Sequence, residues 1–169
     1  MSSILKVDEI QNTSGTTGLT VDSGGRVLNP NAVGWFVYKG SIQTASSSAE
    51  IVTWTGVTFN QGNGFQTSGA NANKFVAPVH GLYTCHATLI STNDDEQHDI
   101  SLRDSAGTSL VAVRNARSHT SNSHESYNIA WTGVMDANDT LHLAIDTSGR
   151  KLYGDTSYRW TTWGGHLIG

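Results

Sequence analysis

Cysteine is nearly absent from this sequence: Cys85 stands alone among 169 residues. That excludes an internal disulfide and a cysteine-rich zinc site, so stability has to come from packing or from association between chains. Proline is almost as scarce, with two. Charged residues make up only 14% of the chain, and its Lys and Arg are scattered singly under a formal net charge of -4. No basic patch can form to neutralise phosphates, so nucleic acid is not an expected partner. No apolar run reaches the roughly 18 residues of a membrane helix, and membrane insertion is not expected. The start, MSSILKVDEIQ, has neither the basic leader nor the apolar core of a secretory signal. Aromatic residues are missing from the first 34 positions, because all five Trp, five Tyr and four Phe fall at or after Trp35. What is abundant is Gly, at 18, with many Ser, Thr and Asn, the composition of a turn-rich strand protein.

The aromatic boundary divides the chain into an arm, residues 1–32, and a head, residues 33–169. The arm's larger apolar residues, chiefly Ile4, Leu5, Val7, Ile10, Leu19, Val21 and Val27, are too few for a closed core, and a lone hairpin is marginal in water. These residues are therefore expected to anchor the arm and to associate with sister chains or with a larger assembly.

From Val33 onward, short segments of period two are broken by Gly, Asn, Asp and Ser, as in an antiparallel sandwich or barrel, with no amphipathic helix. In GLYTCHATLI the alternate set Tyr83, Cys85, Ala87 and Leu89 is the apolar face. DTLHLAIDT turns Leu141, Leu143 and Ile145 inward and His142 and Asp146 outward. SYNIAWTGVM puts Tyr127, Ile129 and Trp131 on one side, and TSLVAVRN adds Val111 and Val113. Further strands are expected at VGWFVYKG, EIVTW, HDISLRD and YRWTTWGGHLIG. The expected fold is all-β: an antiparallel two-sheet jelly-roll sandwich preceded by an extended N-terminal arm with a β-hairpin. Its core should include Tyr83, Cys85, Trp131, Leu141, Leu143 and Trp160.

Several stretches invite chemistry. Asp22-Ser23-Gly24-Gly25 has the look of a nucleophile's surroundings, but it lies between Leu19-Thr20-Val21 and Arg26-Val27-Leu28, and a hairpin tip needs nothing more than those flanks. Among the histidines only His119 and His124 lie close together, in the polar loop SHTSNSHE, and two loop histidines fall short of a structural zinc site. The loop NDDEQHD, residues 93–99, offers Asp94, Asp95, Glu96 and Asp99 as oxygen ligands but lacks the alternating spacing and central glycine of a helix-loop-helix calcium site; it reads as a solvated tip. No metal or cofactor is expected. Tyr158, Trp160 and Trp163 could stack on sugars, yet large aromatics are usually buried, and packing is the expectation for the tryptophans. Alternation separates the two tryptophans, which leaves Trp163, with His119 and His124, as the candidates for surface recognition.

Two resemblances add to this. Trp54, Asn60 and Phe65, then Phe75, Gly81 and Tyr83, stand in a pattern that resembles the globular head of complement collagen-like recognition proteins, which share a trimeric jelly roll with tumour necrosis factor. The gap from Phe65 to Phe75 is longer than the family's, the excess falling in SGANAN. Cys85 and Ala87 replace expected aromatics, so bulk is expected from elsewhere, from Trp131 or Trp160. The arm, ILKVDEIQNTSGTTGLTVDSGGRVL, is similar to leaders on structural proteins of tailed bacteriophages. Together the resemblances imply a homotrimer on the virion surface: a non-enzymatic short fibre, spike or capsid decoration protein. Its implied partners are other virion structural proteins and a host-surface glycan or protein. A soluble carbohydrate-recognition lectin and a polysaccharide-degrading virion enzyme are the alternatives.

Overall fold

The computed structural model describes residues 7–29, 31–92, 98–115 and 124–168, and among them every regular element is a β-strand. The chain forms two compact units, Met1–Ala32 and Val33–Gly169.

The first unit is an antiparallel meander of β1 (Glu9–Gln11), β2 (Thr17–Val21) and β3 (Val27–Leu28). Its second turn is the DSGG segment. The Asp22 amide donates to the Arg26 carbonyl at 3.0 Å and the Gly25 amide to the Asp22 carbonyl at 2.9 Å. Asp22 Oδ1 accepts from the Gly24 and Arg26 amides, each at 2.9 Å. Gly25 holds φ +77°, a left-handed conformation that costs a side-chain-bearing residue about 1 kcal/mol or more. The first turn, NTSGT, repeats this around Asn12 and Gly15. The arm therefore holds two hairpins where one was expected. Register places Ile10 opposite Leu19 and Val21 opposite Val27, which gathers all four on one face. Among the described residues this face is only partly covered: Leu19 and Val21 are half-buried, while Ile10 is exposed and Val27 is 66% exposed.

The second unit contains β4 (Gly34–Tyr38), β5 (Gln43–Thr44), β6 (Glu50–Ile51), β7 (Gly56–Gln61), β8 (Phe65–Gln66), β9 (Lys74–Val76), β10 (Gly81–Thr92), β11 (His98–Arg103), β12 (Ser109–Asn115), β13 (His124–Met135), β14 (Thr140–Ile145), β15 (Lys151–Leu152) and β16 (Thr162–Leu167). Seven strands form one sheet, β5-β15-β10-β16-β4-β7 with β13 on the other edge of β10. Six form the second, β12-β11-β14-β9-β8 with β6 against β14. The pairing is antiparallel throughout, and the architecture is the jelly roll.

Tyr83, Cys85, Leu141 and Leu143 are buried between the sheets, and Trp131 is partly buried against them. Where Cys85 and Ala87 leave room, Trp131 pairs with Cys85 on one side as expected, and further bulk comes from Trp35 and Trp163. Ala87 faces Trp163, which faces Val37; Cys85 faces Gly165, which faces Trp35. The Ala87 row thus sets one indole beside small or medium side chains, and the Cys85 row sets Trp131 at one end and Trp35 at the other. Trp35 stacks on Phe75 of the opposite sheet at 3.8 Å and 16°, and meets Trp163 edge-on at 5.4 Å.

Three expectations need correction. Trp160 is not core: it is 41% exposed, because the chain before Thr162 is a turn and strand alternation does not reach it. Trp163, assigned to the surface, is 1% exposed, since it is an inward residue of β16. His142, expected outside, does lie on the face opposite Leu141 and Leu143, but it is buried beside Arg103. Burial pushes its imidazole below the usual pKa, and the positive charges of Lys74 and Arg103 add to the effect. EIVTW pairs only over Glu50–Ile51.

Candidate functional site

The residues of the sequence pattern serve the scaffold. Asn60 clamps the β7–β8 turn: its Nδ2 donates to the Phe65 carbonyl at 3.0 Å and its Oδ1 accepts from the Phe65 amide at 2.9 Å. That turn reverses at Gly62 and Asn63, both at positive φ. The clamp delivers Phe65 to Trp163, ring edge to face at 6.0 Å, while Trp54 lies 5.9 Å from the same indole. Phe75 reaches Tyr83 at 5.5 Å, and the Tyr83 hydroxyl donates to the Val79 carbonyl at 2.8 Å. Cys85 is buried among these rings, and burial pushes its thiol up to about 11, so it is no nucleophile.

The other sequence candidates scatter. Ile4, Leu5 and His119 lie outside the described residues, as do Asp94, Asp95 and Glu96. Asp99 is engaged by Arg114, Nε to Oδ1 at 2.8 Å. Among the described residues no three His, Cys, Asp or Glu side chains converge on one point. Val7, Ile10, Leu19, Val21 and Val27 lie in the arm sheet or beside it, and Ser23 sits at its hairpin tip. Trp160, expected in the core, and His124, expected in a polar loop, come together with ring centroids 6.0 Å apart.

Two features of the described surface stand out, both on the outer face of the seven-stranded sheet. At one end Leu82 pairs with Val134, and on its other side the Ile168 amide donates to the Leu82 carbonyl at 2.7 Å. These three aliphatic side chains form an exposed row, with Val134 at 64%. At the other end, where Thr92 pairs with His124, rings gather. His124 lies 4.7 Å from Tyr153; Tyr153 stacks with Trp160 at 5.4 Å and 29°; Tyr158 lies 5.3 Å from Trp160. Tyr153 was not singled out from sequence because a lone Tyr beside the two-residue strand β15 carries no periodic signal.

The Tyr158–Trp160 loop is pinned at both ends. The Asp155 amide donates to the Lys39 carbonyl, and Asp155 Oδ1 accepts from the Ser157 and Tyr158 amides at 2.7 and 3.1 Å. Thr161 Oγ1 accepts from the Ile90 amide at 3.1 Å, and the Thr161 carbonyl accepts from Lys39 at 2.9 Å. Between them Arg159 holds φ +50°, its guanidinium 4.5 Å over the Tyr38 ring.

An all-β head of this topology, with its aromatic core closed between two antiparallel sheets, is a jelly roll. Solved structures of that type are similar to it across the head. The globular domain of a zebrafish complement 1qA protein matches at TM-score 0.62 and 13% identity, over 81% of this chain and 98% of the other. Eiger TNF from S. frugiperda matches at 0.66 and 11%, over 82% and 94%. Murine APRIL matches at 0.63 and 13%, over 81% and 99%. At these identities the likeness is one of fold. No family model and no curated protein matches the sequence.

Proposed function

We propose that this protein is a non-enzymatic structural protein of a bacteriophage virion surface, a homotrimeric short fibre, spike or capsid decoration protein. Its arm attaches it and its head contacts the surroundings. The observation that carries this reading is the arm sheet, whose apolar face of Ile10, Leu19, Val21 and Val27 is only partly covered by the described residues of its own unit, whereas the head closes its own core. An isolated small sheet of this kind is marginal in water, so sister arms or particle proteins are needed to cover it. The likeness of the arm to phage leaders supplies the particle. The jelly-roll type supports the trimer, and the exposed row Val134, Leu82 and Ile168 offers the head a contact face. Among its exposed side chains the described head displays rings and aliphatic groups, which suits recognition.

Deleting residues 1–32 tests the anchoring. The shortened chain should keep a cooperative thermal transition, since the aromatic core lies wholly in Val33–Gly169. It should no longer join particles in a sedimentation assay. Incorporation of the shortened chain at normal levels would show that the arm is not the anchor.

A further inference from the structure

We infer that Tyr153, Tyr158, Trp160 and His124 form a binding platform for a neutral pyranose. This rests on the reading of the head as a surface-contacting knob and names what it would contact. Tyr158 is 68% exposed and Trp160 41%, so the cluster leaves aromatic area at the surface of the sheet. Such aromatic area has a high desolvation gain waiting for a partner.

The loop holds these rings in place at a local cost. A non-glycine residue at positive φ is strained. Arg159 sits there between Tyr158 and Trp160, and the rings on either side of it end up within 5.3 Å of each other. Extended backbone would also have placed residues two apart on one side, but it would have continued β16 and carried them along the strand. Here Asp155 closes the turn and Thr161 fastens its end to Ile90, so the rings stand on a fixed support.

The chemistry of the rings selects the occupant. Every one carries a polar tip: two phenol hydroxyls, an indole N–H and an imidazole. The Tyr153 hydroxyl is oriented by Asp155 Oδ2 at 3.3 Å. A pyranose matches this arrangement, with an apolar C–H face for the rings and equatorial hydroxyls for the tips and the carboxylate. The Asp155 charge disfavours acidic sugars. A second copy of the chain is the weaker occupant, because the aliphatic row suited to subunit contact lies at the far end of the sheet. Leu82 and Ile90 are eight residues apart on β10, about 26 Å at roughly 3.3 Å per residue.

The full-length protein and its Trp160→Ala and Tyr158→Ala variants should be applied to immobilised neutral and acidic oligosaccharides of defined structure. The expected result is binding to a neutral pyranose-containing member, weakened about tenfold or more in each variant, the equivalent of about 1.4 kcal/mol. Solution mass and melting temperature should stay those of the parent. Absence of binding to every neutral member, or equal binding by Trp160→Ala, would overturn the platform. A fall in solution mass on Trp160→Ala would do the same, by making the patch a subunit contact. Particle association is read separately: sugar binding without it removes the virion and keeps the platform, and the reverse removes only the platform.

Discussion

Gly165 is the residue on which the packing of the two core indoles turns. It lies on β16 between Cys85 and Trp35, and a Cβ there would come closer than 3 Å to the Thr84 carbonyl oxygen, the Trp35 ring and the Cys85 Cβ. One of those neighbours is backbone and another is a ring fixed by stacking on Phe75, so neither can yield cheaply. Gly165→Ala is expected to cost about 1–3 kcal/mol or more, as overpacking does, and to lower the melting temperature by several degrees. An unchanged transition by calorimetry would mean that the sheet spreads to take the methyl. The sequence showed that Cys85 and Ala87 were too small for their places, and it showed inward alternation along GLYTCHATLI. It did not show that Trp35 and Trp163 fill the gap alongside Trp131, because these two reach it across strand pairings 50 or more residues apart in the chain, and register is not written locally.

Elements differ in how openly the sequence declares them. The long pair β10 and β13 alternates over twelve residues and was visible at once. Of the turns only that at Asp22 was read in advance, yet the same pattern, an Asx residue, two more, then Gly, recurs at Asn12 and Asp104, and each time the side chain caps the following amides. Two-residue strands such as β5, β6, β8 and β15 cannot alternate and were missed or misplaced. Side chains hold them instead. At the β4–β6 corner Lys39, 1% exposed, donates from Nζ to Gln43 Oε1 and the Thr53 carbonyl, each at 2.9 Å, and to Thr53 Oγ1 at 3.1 Å. Gln43 Nε2 passes the chain of bonds to Glu50 Oε1 at 3.0 Å. Burial pushes the Lys39 ammonium down to about 8, against the pull of the Glu50 charge. A lysine whose folded pKa lies below its unfolded value of 10.5 leaves the folded chain with fewer bound protons between about 8 and 10.5. Stability should therefore rise with pH across that window. Lys39→Met should abolish this rise, as read from urea midpoints at steps from pH 7.5 to pH 10.5, chosen to bracket the window; parallel curves for parent and variant would assign the pH dependence to another group.

At the scale of the whole molecule the expected assembly is three chains, and light scattering should give three times the chain mass of 18.1 kDa. Leu82→Arg, in the middle of the exposed row beside Val134 and Ile168, should shift that mass toward a single chain while leaving the buried Tyr83 and Cys85 face of the same strand untouched. A Leu82→Arg protein that keeps the parent mass would place the subunit contact elsewhere. The all-β class and the jelly roll were legible from the rhythm of strands and turns, and so was the lack of apolar material in the arm. The ring platform was not, because its members come from β13, the end of β15 and a turn that only the fold brings together. The lone thiol of Cys85, sealed between the sheets with its pKa near 11, has one more consequence. With a single cysteine the chain can form no internal disulfide, so no cross-link within the fold depends on the reductant around it. Any cysteine engineered onto the surface becomes the single position that a maleimide dye or a gold label will find.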